Sequence, residues 1–278
     1  MRVRLLAGAA EFLEATLDLR AADPVRTNVL GSVATGVRSG VRYDAESFFV
    51  VERDGAVVGA ALWTAPYRLL LAPMDDAAAT AVGTAAAERS RALATPLAGV
   101  VGPVGTAERA ADATGRAWTR SRDERVLVLH DFLPPRGVPG AARRAADEDT
   151  DLLRRWRREF AREAGTLVHD QEDHIRLALP ATWFWTVDGV PVSMAGHAPV
   201  VSTPSGDVGR IGPVYTPVEH RRHGYGGAVT AAVVGHLRTL AGTVMLFTDA
   251  ANPTSNHVYE ALGFIHEADV VELAFEPL

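Results

Sequence analysis

The spacing of apolar positions switches repeatedly between a period of two and a period near four. The switches set out one order of elements twice. Helical spacing runs to about Arg20 and again from Pro24 towards Arg38. Phe48 to Trp63 then reads as strand, turn and strand around Asp54-Gly55, because Gly tolerates the positive φ of a tight hairpin turn. Tyr67 to Leu71 is a further strand, Asp75 to Arg91 an Ala-rich helix, and Leu97 to Val101 a buried strand. Thr106 to Trp118 is a helix and Arg125 to Phe132 a last strand.

Leu133-Pro134-Pro135-Arg136-Gly137-Val138-Pro139-Gly140 cannot lie inside a regular element, and it reads as a linker. The expected organisation is a domain over 1–133, a linker over 134–140 and a domain over 141–278. The second half repeats the first. Asp149 to Glu163 is a helix with Leu152, Leu153, Trp156 and Phe160 on one face. Trp183 to Ala195 is a hairpin around Asp188-Gly189, and Val208 to Tyr215 a strand. Gly224 to Leu240 is a helix with Val229, Val233, Leu237 and Leu240 as its stripe, closed by Gly242. Val244 to Thr248 is a buried strand, Pro253 to Leu262 a short helix, and Val270 to Phe275 a final strand. Two α/β domains of similar topology follow.

Composition narrows the chemistry. The chain of 278 residues is 47% hydrophobic, enough for a real core without staples. Its net charge of −6 speaks against a general binder of nucleic acid or anionic membranes. It contains no Cys, which removes disulfides, thiolate metal sites and a cysteine nucleophile. All 28 basic residues are Arg, which removes P-loop, Schiff-base and Ser–Lys chemistry. Arg2 and Arg4 ahead of an apolar patch mimic a leader, but Glu11, Glu14 and Asp18 make the segment an amphipathic helix. No apolar run reaches the length of a membrane span, so a cytoplasmic protein is expected.

Two segments carry candidate chemistry. In the first, a strand ends at Val214-Tyr215-Thr216, and Arg221-Arg222-His223-Gly224-Tyr225-Gly226-Gly227 opens a helix. Glycines let backbone N–H groups approach a ligand, and a helix N-terminus adds about half a positive charge. The result is an anion cradle, suited to a phosphate or pyrophosphate. The alternative is a glycine-rich turn without a ligand. In the second segment Asn252 is a natural helix cap, Pro253 suits the first helical position and Gly263 suits the stop. Asn252, Ser255 and Tyr259 fall on a polar stripe of that helix, which alone would read as a solvated face.

Together, Arg221-x-x-Gly224-x-Gly226 at a strand-to-helix turn and Asn252-x-x-Ser255-x-x-x-Tyr259-x-x-x-Gly263-Phe264 closely resemble the GNAT family of acyl-CoA-dependent N-acetyltransferases. The resemblance covers roughly 141 to the C-terminus. It implies two GNAT-like domains, each a mixed, largely antiparallel sheet flanked by helices. It also implies acetyl-CoA as co-substrate, no metal, and direct attack by a small-molecule or peptide amine in a ternary complex. The resemblance places pantetheine beside Val214, Tyr215 and Thr216, and pyrophosphate on the amides of Arg221, Arg222, His223, Gly224, Tyr225, Gly226 and Gly227. Asn252 and Ser255 match cofactor-contacting positions, and Tyr259 matches the tyrosine that protonates departing thiolate. No nucleic acid or membrane partner is implied, and a homodimer is left open. The rival class is a non-catalytic acyl-CoA sensor or interaction module.

An ammonium group has no lone pair, so the chemistry asks for a base. The strand before the glycine loop carries no carboxylate; Asp249 and His197 are candidates. His169 and His174 fit no metal-ligand spacing, and residues 163–174 read as a polar loop. In the first half Asp75 and Asp76 stand where the glycines would be needed. Two carboxylates there would repel a pyrophosphate. The first half is therefore expected to be a degenerate relative that shapes structure or substrate.

Overall fold

The computed structural model describes residues 1–168 and 170–276. The first half forms β1 (Arg2–Leu6), α1 (Ala9–Ala15), α2 (Leu17–Ala22), α3 (Asn28–Arg38), β2 (Ala45–Arg53), β3 (Ala56–Ala65) and β4 (Leu69–Leu71). It continues with α4 (Asp76–Ala92), β5 (Gly99–Pro103), α5 (Val104–Ala113) and β6 (Trp118–Leu129). The second half forms β7 (Ala141–Arg144), α6 (Thr150–Ala164), α7 (Glu172–Ala178), β8 (Thr182–Val187), β9 (Val190–His197), β10 (Val201–Thr203) and β11 (Gly206–Tyr215). It ends with α8 (Tyr225–Leu237), β12 (Thr243–Asp249), α9 (Pro253–Ala261) and β13 (Phe264–Phe275).

All the strands share one sheet, ordered β1-β2-β3-β4-β5-β13-β6-β12-β11-β9-β8-β7, with β10 on β11. The order is the same read from either end, except that the halves exchange their last strands. β13 of the second half pairs with β5 of the first, and β6 of the first half pairs with β12 of the second. β6 and β13 then pair with each other from Phe264 opposite Leu129 to Phe275 opposite Trp118. The sheet is antiparallel apart from β4 with β5 and β11 with β12. Residues 130–140 lie between β6 and β7, and the sheet runs across both halves without a break.

Each face is covered by its own set of helices. Ala79 and Val82 of α4 and Ala107 of α5 pack with Val100 and Leu273, while Val229 and Val233 of α8 pack with Ile211, Leu127 and Leu246. On the other face Phe12 of α1 and Leu30 of α3 cover Phe48 and Leu62, and Leu153 and Trp156 of α6 cover Phe184, Met194 and Tyr215. Between α3 and α6 the central strands present Val126, Val208 and Met245.

Both hairpins form as the sequence predicts: Asp54 (φ 51°) with Gly55 (φ 84°), and Asp188 (φ 49°) with Gly189 (φ 77°), occupy the left-handed region that primed turns need. Residues 2–6 are not helical. They form an edge strand on β2, where Arg4 ion-pairs with Glu52 at 2.5 Å. Residues 172–178 are helical rather than loop, since Ile175 anchors α7 in the core beside Trp156. β6 and β13 begin at Trp118 and Phe264, well before the expected Arg125 and Val270, because the added lengths of the two strands pair with each other.

Candidate functional site

The parallel pairing of β11 with β12 stops early, at Ile211 opposite Leu246. Beyond that point β11 turns to β9, with an irregularity between Ile211 and Val214, while β12 keeps its register on β6 through Asp249 opposite Glu124. The strands part, and the sheet opens between residues 212–215 and 247–249. Ser193 Oγ on β9 donates to the Tyr215 carbonyl at 3.1 Å. Alternation along the strand then turns the N–H and C=O of Val214 the other way, into the opening. Tyr215 itself is buried under α6, its hydroxyl bonded to Glu159 Oε2 (3.1 Å) and Glu163 Oε1 (3.3 Å). Burial and those two carboxylates hold its phenol well above the usual range. Thr216 Oγ1 lies 2.8 Å from Ser193 Oγ.

A short turn over Val218–His220 leads to α8 through Arg222 (φ 64°) and Gly224 (φ 83°). Gly224 occupies the cap position without a side chain to accept a bond, so the first N–H groups of α8 stay uncapped at the mouth of the opening. A Cβ on Gly226 would lie 3.3 Å from Thr216 Oγ1, and one on Gly227 would lie 3.6 Å from Val258. Arg221 donates from Nε to the Thr216 carbonyl at 2.8 Å and ion-pairs with Glu163 of α6, which ties the loop down. Arg222 is exposed, and His223 stacks on Tyr225 with ring centroids 5.3 Å apart.

The equivalent place in the first half is built differently. Asp75 caps α4, accepting from Ala78 N at 2.9 Å, and ion-pairs with Arg53 at 2.7 Å. Those hydrogen bonds hold its carboxyl below the usual range. The helix end that would meet a phosphate is therefore occupied by the protein's own anion. Two turns further along, α4 and α5 pack closely: a Cβ on Gly83 would fall 2.1 Å from the Ala110 carbonyl oxygen.

Across the opening, α9 starts at Asn252, whose Oδ1 accepts from Ser255 N at 3.1 Å. Asn252 is thus a helix cap in this structure, with Ser255 half-buried one turn on. Tyr259 is buried, set edge-on to Phe264 at 6.2 Å, and its phenol is pushed up to about 12 by burial. Two further residues were not singled out by sequence reasoning. Thr248 Oγ1 and Asn256 Oδ1 are buried without a hydrogen-bond partner among the described residues. Asn256 Nδ2 reaches the carbonyls of Asp249 and Ala250, both at 3.3 Å, so the two orphaned oxygens lie about the end of β12. Buried polar atoms left unpaired are costly, and they fit a ligand that brings its own polar groups. The only sequence signal was a polar residue inside an apolar strand and a second Asn in the helix.

Of the two candidate bases, Asp249 is partly used: its Oδ1 accepts from Ala251 N at 2.8 Å. His197 lies on the α8 face, 5.7 Å from the rings of Trp183 and His236, and burial lowers its pKa. His169 lies outside the described residues. His174 is a buried ring set against Tyr43 at 5.3 Å. Among the described residues no group of three or more acidic or His side chains is placed to hold a metal, and no helix is long and apolar enough to cross a membrane.

Residues 202–272 match the family model described as FR47-like protein. An acetyltransferase of the GNAT family from Colwellia psychrerythraea shares the fold at 12% identity and TM-score 0.60, over 99% of this chain and 100% of that one. A GCN5-related N-acetyltransferase from Kribbella flavida does so at 18% identity and TM-score 0.62, over 93% and 96%. A tandem GNAT protein from the clavulanic acid biosynthesis pathway does so at 16% identity and TM-score 0.63, over 98% and 97%. No curated protein matches the chain in sequence. The chain is a GNAT-fold protein with two halves in tandem, and its second half carries the FR47-like region.

Proposed function

We propose that this protein transfers an acetyl group from acetyl-CoA to an amine, using the second half alone as the donor site. The observation that carries the reading is the uncapped, glycine-entered N-terminus of α8 at the parted strands, set against the carboxylate-capped equivalent in the first half. The amides of residues 221–227 and the α8 dipole would hold the pyrophosphate. Val214 would offer its main chain to the pantetheine arm, and Thr248 or Asn256 a polar atom. Bound there, the co-substrate supplies a thioester carbonyl carbon open to attack. Tyr259 stays protonated at neutral pH and stands on the α9 side as a proton donor for the leaving sulfur. The acceptor, a small-molecule or peptide amine, would approach from the α3 and α6 face, where the central strands lie between the two halves.

The test is release of CoA thiol from acetyl-CoA with glucosamine, spermidine and a peptide with a free N-terminus. Amine-dependent release supports transfer. Binding of acetyl-CoA with no release for any amine would make the protein an acyl-CoA sensor instead.

A further inference from the structure

The exchanged strand brings a residue of the first half to the second half's opening. β6 pairs with β12 so that Glu124 stands opposite Asp249, at the end of the strand that borders the split. Cross-strand partners share a face. Glu124, Val126, Phe247 and Asp249 therefore face the α3 and α6 side, while Leu127 and Thr248 face α8 and α9. Tyr259 packs with that second set. Glu124 and Tyr259 thus lie on opposite faces of the sheet. With strands about 4.8 Å apart and β11 parted from β12, the Glu124 Cα lies more than about 7 Å from the midline of the split. Its side chain rises from the α3 and α6 face beside Asp249, so it meets an amine that enters from that face, directly or through one water.

The groups around Glu124 are committed elsewhere. Glu272 of β13 is paired with Arg68 at 3.0 Å. Arg122, on the same strand, donates to the Ala164 carbonyl at the end of α6. Asp249 binds Ala251 N, and Arg210 of β11 donates to Asn28 Oδ1 (3.2 Å) and Ser32 Oγ (3.0 Å) of α3. The Glu124 side chain has no hydrogen bond or ion pair among the described residues. Burial, then Glu272 and Asp249, push its carboxyl up to about 7, against the pull of Arg122 and Arg210.

We propose that Glu124, delivered by the first half on an exchanged strand, is the general base that deprotonates the acceptor's ammonium group, directly or through one water. The inference rests on the acyl-transfer reading. In the step, the ammonium gives one proton to the Glu124 carboxylate and becomes a neutral amine. Its lone pair forms the N–C bond to the thioester carbonyl, the C–S bond breaks, and the electron pair leaves on sulfur. The second proton shed by nitrogen balances the one sulfur takes up. Glu124 returns its proton to water, so the products are an amide, a thiol and one H⁺. This gives the first half a part in catalysis although its own cradle is closed.

Glu124→Gln keeps the shape and removes the basicity. With the amine that turns over best in the panel above, wild-type kcat/KM should rise with pH and level off above about 7. In Glu124→Gln the rate at pH 7 should fall about 10²–10⁴-fold, and the bend near 7 should vanish. Acetyl-CoA affinity by calorimetric titration should be unchanged. Glu124→Asp, which keeps a base with a shorter reach, should recover part of the rate and the bend, and it serves if the Gln variant does not fold. Wild-type rate and pH profile in Glu124→Gln or in Glu124→Ala would overturn the inference alone. Binding without turnover of any amine by the wild type would overturn the transfer reading and this inference with it.

Discussion

A carboxyl held up at about 7 also leaves a mark on stability, and Glu124→Gln reads it without any substrate. The ordinary value is 4.5, so the gap to the folded protein is about two and a half pH units. Between those limits the folded chain keeps a proton that the unfolded chain has given up. Stability therefore falls as pH rises from about 4.5 through about 7, and is level above it. At about 1.4 kcal/mol per pH unit, the loss between pH 5 and pH 8 is on the order of 2–3 kcal/mol. Gln carries no such proton. The stability of Glu124→Gln minus that of wild type should rise by that amount over the same interval. His174, His197 and His236 have lowered pKa values and act in the opposite sense, costing stability as pH falls below 6.5. Both chains carry them, so they cancel in the difference. Urea unfolding at pH 5, 6, 7 and 8, followed by tryptophan fluorescence and circular dichroism together, gives the difference directly. A difference that does not change with pH would refute the burial argument for Glu124.

Two further changes test the second half's site. Gly226→Asp should abolish acetyl-CoA binding in a folded protein, because the side chain enters a cradle where even a Cβ comes 3.3 Å from Thr216, and its charge opposes phosphate; wild-type affinity by calorimetry would remove the cradle. Tyr259→Phe should lower turnover about 10²–10⁴-fold with little change in acetyl-CoA affinity, since the ring packing on Phe264 is kept and only the donor is lost; unchanged turnover under chemistry-limited conditions would leave protonation of sulfur to water.

The local grammar of the fold is legible in the chain. Asp-Gly between apolar runs and a glycine-led helix each act over a few residues, and each forms where expected. The misreadings share a non-local cause. Arg2-Val3-Arg4-Leu5 alternates polar and apolar but is too short to stand out ahead of the helical pattern, and it is a strand because β2 offers an edge. Thr119 to Glu124 reads as polar and featureless because its partners come from β12 and β13, at the far end of the chain. The exchange hid Glu124 from any argument that treats each half as a closed domain. The uncapped, glycine-led start of α8 is visible because glycines and a helix start are neighbours in sequence. The contrast with Asp75 was visible too, although its charge proves to work chiefly as a helix cap.

With the first half's helix end capped by Asp75, only the second half should bind the acyl donor. Calorimetric titration of the whole chain with acetyl-CoA measures this most directly. One molecule should bind per chain, and none in Gly226→Asp. Two molecules per chain, or one that survives Gly226→Asp, would contradict it.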